Sequence, residues 1–214
     1  MKKNIKVLVA DDHPMLLKGL LQEFQENGYH TLLEATNGAI ALELLQTEKP
    51  DIAILDIEMP LLTGFEVIDK GRTTATNTKF IILTSHKEKA FIIKAKHLKI
   101  DGYLLKDEPF SEMDNCIQSL LEGKKYFSKT FESIFEEHVA PELTKLNFLS
   151  PSERTILRLV AQNKSSKEIG EIINISYRTV QKHRTNIIAK LDLDTAPDAL
   201  LLWAQANKAL ISTI

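Results

Sequence analysis

A single cysteine, Cys116, stands in 214 residues. One thiol excludes an internal disulfide and a cysteine-based zinc centre, and it suits a reducing compartment, so a cytoplasmic protein is expected. No apolar run approaches the ~20 residues of a membrane-spanning helix, so no membrane association is expected. The opening stretch imitates an export signal, but it is too short, and Asp11 and Asp12 interrupt it. Internal repeats and low-complexity tracts are missing too. What remains is ordinary for a soluble globular chain, 43% hydrophobic and 26% charged, and long enough for one or two cored domains.

Acids are missing locally. The net charge of −2 hides a division: residues 1–148 carry 18 Lys/Arg against 23 Asp/Glu, and residues 149–214 carry 9 against 6. Between Ile172 and Leu191 there is no acid, but there are Arg178, Lys182, His183, Arg184 and Lys190. A solvated helix face would look the same by charge alone. The asymmetry nevertheless suggests two roles, the second with an anionic partner such as nucleic acid.

The front half repeats one pattern. The apolar run 5–10 ends at Asp11 and Asp12, the run 52–55 at Asp56, 80–83 at Thr84, and 103–105 at Lys106. Parallel strands buried on both faces read as short apolar runs. Strands are expected near 5–10, 29–35, 51–55, 79–83 and 101–105, and helices near 14–27, 38–47, 64–72, 87–98 and 109–122. Pro14 suits a first helical turn, Asn37 an N-cap and Gly123 a left-handed C-cap. The alternation predicts an α/β fold, a doubly wound five-stranded parallel sheet with helices on both faces.

Ligands of such sheets gather beyond the carboxyl ends of the strands. Asp11, Asp12, Asp56 and Lys106 would therefore converge. One acid at a strand end is more often a turn or cap residue; the whole set is not. Crowded carboxylates call for a hard cation with oxygen ligands, which points to Mg²⁺. A carboxylate beside Mg²⁺ can attack phosphorus and become an aspartyl phosphate. Asp56 is the candidate nucleophile, with Asp11 and Asp12 at the metal. Lys106 would pair with a phosphoryl oxygen, and Thr84 would offer a hydroxyl at the same rim. Glu58 and His86 each lie two residues beyond a key position, Asp56 and Thr84, and would flank the path of attacking water.

Residues 124–148 read as a linker. Phe127, Phe131, Ile134, Phe135 and Val139 recur at near-helical spacing, and Pro141 is expected to end that helix. From Leu149 the pattern is all-helical. Ser150 and Glu153 form a capping box for a helix through Ala161, and Asn163 can end it. Ser165 or Ser166 opens a second helix to about Ile173. Ser176 caps a third, to about Leu191, and Thr195 a fourth over 196–207. Val180 and Ile187 lie seven apart and should face the core. Gln181, Lys182 and Thr185 then face outward as candidates for base contacts. Lys164, Lys167, Thr179, His183 and Arg184 are candidates for phosphate. Gly170 would keep the helix crossing close.

The chain resembles a two-component response regulator of the NarL/FixJ type. Residues 1–123 match the receiver domain through the Asp11/Asp12 pair, Asp56 in D-x-x-M-P with Gly64, Thr84, and Tyr103 three residues before Lys106. Residues 149–206, within an expected DNA-binding domain over 149–214, resemble the LuxR-type helix-turn-helix module through Leu149-Ser150-Pro151, Glu153, Lys164-Ser165, Lys167-Glu168-Ile169, Thr179-Val180, His183-Arg184 and Lys190-Leu191. The resemblance implies a flavodoxin-like receiver followed by a small all-α, four-helix DNA-binding domain. It implies phosphorylation of Asp56 by a sensor histidine kinase, with Mg²⁺ on Asp11, Asp12, Asp56 and the backbone carbonyl of Glu58. Thr84 and Tyr103 would shift together as a switch. The rear domain would bind double-stranded DNA as a homodimer, and its fourth helix, with Leu200, Leu201 and Trp203, would supply the dimer contact or the core. Lys99 stands where the family often has glycine. Two other functions fit parts of the pattern. An aspartyl phosphatase would use Glu58 as acid–base, and a DNA-binding regulator could work without phosphorylation.

Overall fold

The computed structural model describes residues 5–75, 77–196 and 198–214. The first residues of the signal-like opening and Pro197 of the expected fourth helix lie outside the described residues. The chain forms two compact units, divided between Ser133 and Ile134.

The first unit is built on β1 (Lys6–Ala10), β2 (Thr31–Ala35), β3 (Ile52–Leu55), β4 (Lys79–Thr84), β5 (Gly102–Leu105) and β6 (Tyr126–Phe127). All neighbours are parallel, in the order β2-β1-β3-β4-β5-β6. Every residue of β3 and β5 is buried, as expected for strands covered on both faces. The helices are α1 (Pro14–Glu26), α2 (Gly38–Glu48), α3 (Gly64–Gly71), α4 (Lys89–His97) and α5 (Phe110–Leu121). Each element matches its expected place within two residues. Asn37 caps α2 by accepting from the amides of Ala39 and Ile40. Thr63 and Glu66 close a capping box at α3, which the sequence reading did not include. Gly64 is required there, because a Cβ would lie 2.1 Å from the carbonyl oxygen of Asp56. That contact lets α3 start directly against the strand end that carries the acid.

Three features of this unit differ from expectation or extend it. The sheet has a sixth strand, β6, where only a linker was expected. Its two residues pair with Gly102 and Tyr103. Such a strand is too short to show a period of two. Lys99 lies in the left-handed region at φ 52°, so lysine bears the strain that glycine would avoid. Gly123, at φ 78°, ends α5 as expected.

Beyond β6 the backbone runs through α6 (Lys129–Ile134), a π-helical turn (Phe135–Val139) and α7 (Ala140–Asn147). Pro141 does not end a helix. It sits in the first turn of α7, where a missing N–H is tolerated. The second unit continues with α8 (Pro151–Ala161), α9 (Ser166–Ile172), α10 (Tyr177–Leu191), α11 (Ala199–Ala206) and α12 (Lys208–Ile211). Ser150 with Glu153 and Ser165 with Glu168 form capping boxes, and Ser176 caps α10. Asn163 takes the left-handed conformation after α8.

The expected cap at Thr195 is wrong. The helix begins at Ala199 with Asp198 at the cap position, and the Thr195 amide donates to Asp194 Oδ1 instead. The physical reason lies in Pro197, which disfavours the helical conformation for its predecessor Ala196. The extra turn of helix at 208–211 was not expected either. Gly170 makes room for the turn into α10: a Cβ there would meet the Ile175 carbonyl oxygen at 2.7 Å.

Candidate functional site

The sheet gathers the acids at its carboxyl edge. Asp11 and Asp12 follow β1, Asp56 follows β3, and Lys106 follows β5. The Asp56 amide donates to the Ala10 carbonyl at 2.9 Å, which locks the first two strand ends together. The Lys106 amide donates to the Thr84 carbonyl at 2.9 Å, which locks the other two. The Lys106 ammonium then lies 2.7 Å from Asp11 Oδ2 and 2.8 Å from Asp56 Oδ2. Asp11 and Asp56 are buried, at 1% and 5% exposure.

Electrostatics follow from that burial. Desolvation raises the Asp56 pKa above the usual 3.8 and outweighs the Lys106 partnership. A carboxylate with a raised pKa is a better nucleophile. Burial disfavours the Lys106 charge, but its bonds to Asp11 and Asp56 prevail and raise its pKa.

Asp11, Asp12, His13 and Asp56 each offer a ligand atom, all within 4.8 Å of one another. His13 was not among the expected site residues. Its ring Nδ1 lies 3.2 Å from Asp11 Oδ1 and 3.0 Å from Asp12 Oδ1. Its position directly after the acidic pair was the available signal. Three carboxylates face one lysine here, so the cluster keeps surplus negative charge. Hard oxygen donors with surplus charge fit a divalent cation such as Mg²⁺.

Thr84 is fully buried at the end of β4, and its hydroxyl accepts from the His86 amide at 3.1 Å. Tyr103 is buried in β5, and its hydroxyl donates to the His86 carbonyl at 3.0 Å. His86 thus joins the two expected switch residues through its backbone. Its side chain meets Glu58 at 3.3 Å and Glu88 at 3.3 Å. Burial opposes the imidazolium, but the bonds to Glu88 and Glu58 prevail and raise the His86 pKa above 6.5.

In the second unit Val180 and Ile187 are buried, as expected, and they anchor α10. Gln181, Lys182, Thr185, Thr179 and Lys167 are exposed, while His183 and Arg184 are half-buried. Lys164 pairs with Glu168 at 3.5 Å. Thr179 is engaged at the helix start, 2.8 Å from the Ser176 hydroxyl. The Gln181 amide donates to the Tyr177 hydroxyl at 2.7 Å. Tyr177 and the exposed Arg178 were missing from the expected surface. Tyr177 could have been found from its place four residues before Gln181. Of the three α11 candidates, Leu200 is buried in the unit's core, Leu201 and Trp203 are half-buried, and the unexpected Leu202 is exposed. No helix among the described residues is long and apolar enough to cross a membrane.

Comparison with known proteins yields consistent matches. Residues 7–118 match the response regulator receiver domain, and residues 147–202 match the bacterial regulatory proteins of the luxR family. The transcriptional regulatory protein DesR of Bacillus subtilis is 32% identical over 198 residues, covering 92% of this chain and 94% of its own. The nitrate/nitrite response regulator protein NarP of Escherichia coli is 28% identical, covering 95% and 96%. The structure of RcsB from Salmonella enterica serovar Typhimurium, bound to promoter rprA in the presence of phosphomimetic BeF3-, has the same fold. Its TM-score is 0.62 at 24% identity, covering 95% of this chain and 99% of that one.

Proposed function

The chain belongs to the response regulators that carry a receiver domain and a LuxR-type DNA-binding helix-turn-helix, and from that premise we propose that Asp56 accepts a phosphoryl group which controls DNA binding. The family is one of transcription regulators, not enzymes. Residues 1–123 act as the receiver, 149–214 as the DNA-binding domain, and 124–148 connect them.

An Asp56 carboxylate oxygen attacks the phosphorus of a phosphohistidine on a sensor kinase. The P–O bond to Asp56 forms as the P–N bond breaks, and the departing imidazole takes up a proton from solvent. Bound Mg²⁺ supplies neutralisation of the phosphoryl charge, held by Asp11, Asp12, Asp56 and the Glu58 carbonyl. Lys106 leaves Asp56 for a phosphoryl oxygen. Thr84 turns its hydroxyl from the His86 amide to another phosphoryl oxygen, and Tyr103 moves with it. Glu58 and His86, paired across the rim, limit the approach of hydrolytic water. The phosphorylated form dimerises, and α10 enters the major groove of double-stranded DNA. The observation that carries this reading is the Lys106 ammonium held between Asp11 and Asp56 at 2.7 and 2.8 Å. Glu58, the acid that a phosphatase would need, is largely exposed and turned to His86.

The test is incubation with acetyl phosphate and Mg²⁺. The wild type should retain one base-labile phosphate per chain, and Asp56→Asn should retain none. Undiminished incorporation in that variant sinks the proposal, and steady phosphate release by the wild type would favour a phosphatase.

A further inference from the structure

The Tyr103 ring is not a surface aromatic. Residues from beyond the fifth helix cover it. Phe131 of α6 lies on it, with ring centroids 4.7 Å apart at 45°. Phe127 of β6 stacks on Phe131 in turn, at 4.8 Å and 16°. The Lys96 ammonium, from α4, stands over both rings, 4.4 Å from Phe127 and 5.4 Å from Phe131. Phe131 and Ser128 are each only 1% exposed.

The backbone grips the same residue. The Ser128 amide donates to the Tyr103 carbonyl at 3.0 Å, and Phe127 is the register partner of Tyr103. Ser128 Oγ accepts from the Phe131 amide at 3.3 Å and so fixes the first turn of α6. Lys125 adds an anchor: its ammonium donates to the carbonyls of Lys99 and Ile100 at 3.0 and 2.8 Å. The left-handed turn at Lys99 therefore presents the carbonyl that holds the start of β6.

The path from the acidic site to α6 is short. The Thr84 hydroxyl holds the His86 amide, the His86 carbonyl holds the Tyr103 hydroxyl, and the Tyr103 ring bears on Phe131. We propose that Phe131 is a positioning residue that holds Tyr103 inward, so that docking of 126–131 and the state of the Asp56 site form one coupled equilibrium. This rests on the reading of Thr84 and Tyr103 as switch residues. Moving the Thr84 hydroxyl to a phosphoryl oxygen releases the His86 amide and alters the seat of the Tyr103 hydroxyl. Tyr103 cannot swing outward while Phe131 occupies the space over its ring. α6 is also the segment through which the chain leaves the first unit, so a change in its docking is passed along the backbone. The coupling is reciprocal: whatever favours the docked segment favours the same state of the site.

If Phe131 merely filled space, its loss would lower stability and leave the response to phosphorylation unchanged. The test uses the full chain, with promoter DNA selected by the wild type. DNA affinity is measured with and without acetyl phosphate for wild type, Phe131→Ala and Phe131→Tyr. Mass spectrometry checks phosphorylation, and a thermal melt checks folding. The wild type should gain roughly 5–150-fold on phosphorylation, the ordinary range of allosteric coupling. Phe131→Ala should incorporate phosphate yet lose at least about fivefold of that gain. Phe131→Tyr, which keeps a ring over Tyr103, should retain it. An unchanged gain in Phe131→Ala overturns the proposal. Hydrogen exchange on the wild type needs no folded variant. Phosphorylation should change the protection of the Ser128 and Phe131 amides, and identical protection overturns the proposal as well. A wild type that takes no phosphate, or shows no gain, indicts the functional reading instead.

Discussion

The acidic pocket and the recognition helix use their residues in opposite ways. In the pocket, side chains from Asp11 to Lys106 come from three separate strand ends and meet only because the sheet forms. Asp11 and Asp56 are buried, and Lys106 pairs with both. On α10 the candidate DNA contacts lie within one helical stretch. They are exposed or half-buried, and their hydrogen bonds reach no further than four residues along the helix. The difference teaches where each function is vulnerable. A substitution in the pocket changes the charge balance of a buried cluster and so strikes folding and chemistry together. A substitution on the outer face of α10 should leave folding alone and alter affinity.

The largest effect should come from Lys106→Met, which keeps the bulk of the side chain and removes its charge. Asp11 and Asp56 would then face each other uncompensated while buried. Removing one partner of a buried ion pair typically costs about 3–5 kcal/mol. The variant's melting temperature should fall steeply in chelator and recover in part with millimolar Mg²⁺. Its pH dependence has a definite sign. The Asp56 pKa is already raised in the folded state, so protonation favours folding. That stability is present below the unfolded pKa of about 3.8 and is lost as pH rises through the folded value. Without Lys106 the folded value climbs further, so the deficit should shrink in acid. Equal stability of variant and wild type with chelator at neutral pH would break the contrast.

That contrast also explains what was legible. The strand ends were legible because burial on both faces makes each strand a short apolar run, and because a charge that ends such a run is conspicuous. Pairwise geometry was not: nothing in the sequence places Lys106 between Asp11 and Asp56, or His86 beneath the Tyr103 hydroxyl. β6 escaped because two residues cannot display an alternation. The phenylalanines at 127 and 131 did read as members of one helical spacing, but not as the cover of Tyr103, because that contact depends on β6 joining the sheet. In the rear half, Ser150, Ser165 and Ser176 were legible because caps act within three residues. Thr195 misled because Pro197 overrides a good capping side chain. The burial of Leu200 and the exposure of Leu202 were beyond reach, since α11 is apolar on most of its surface.

A middle-sized effect, at a carboxylate whose pKa is shifted the other way, is expected in the second unit. Glu153 is buried, closes the capping box with Ser150 and meets Lys190 at 2.7 Å. Burial opposes its charge, but Lys190 and the Ser150 groups prevail and hold its pKa below 4.5. Its stability is present above the unfolded value near 4.5 and is lost as pH falls through the folded pKa. Glu153→Gln keeps a capping-box side chain and removes the ion pair. Lys190 is partly exposed, so solvent screens the loss to about 1 kcal/mol at neutral pH. Trp203, the chain's single tryptophan, reports this unit selectively. Denaturation followed by its fluorescence should show a deficit at pH 7 that narrows toward pH 3. A deficit that widens in acid would refute the assignment.

The smallest effects on stability should come from the outer surfaces of α9 and α10, and they sharpen the comparison most. Gln181 is exposed on the outward part of α10 and held by Tyr177, so it should read a base. Lys167 is exposed on α9, and it should mainly neutralise phosphate. Gln181→Ala should relax discrimination at one base position by roughly 1–3 kcal/mol. Lys167→Ala should weaken specific and non-specific binding alike and lower the salt slope by about one. Neither should shift the Trp203 unfolding midpoint, because neither side chain is part of the core. The measurement is titration of each variant against matched and base-substituted DNA at several salt concentrations. Suppose Lys167→Ala altered base preference while Gln181→Ala only lowered overall affinity. Then the helix would sit rotated on the DNA, with Arg178 and Lys182 rather than Gln181 facing the base edges.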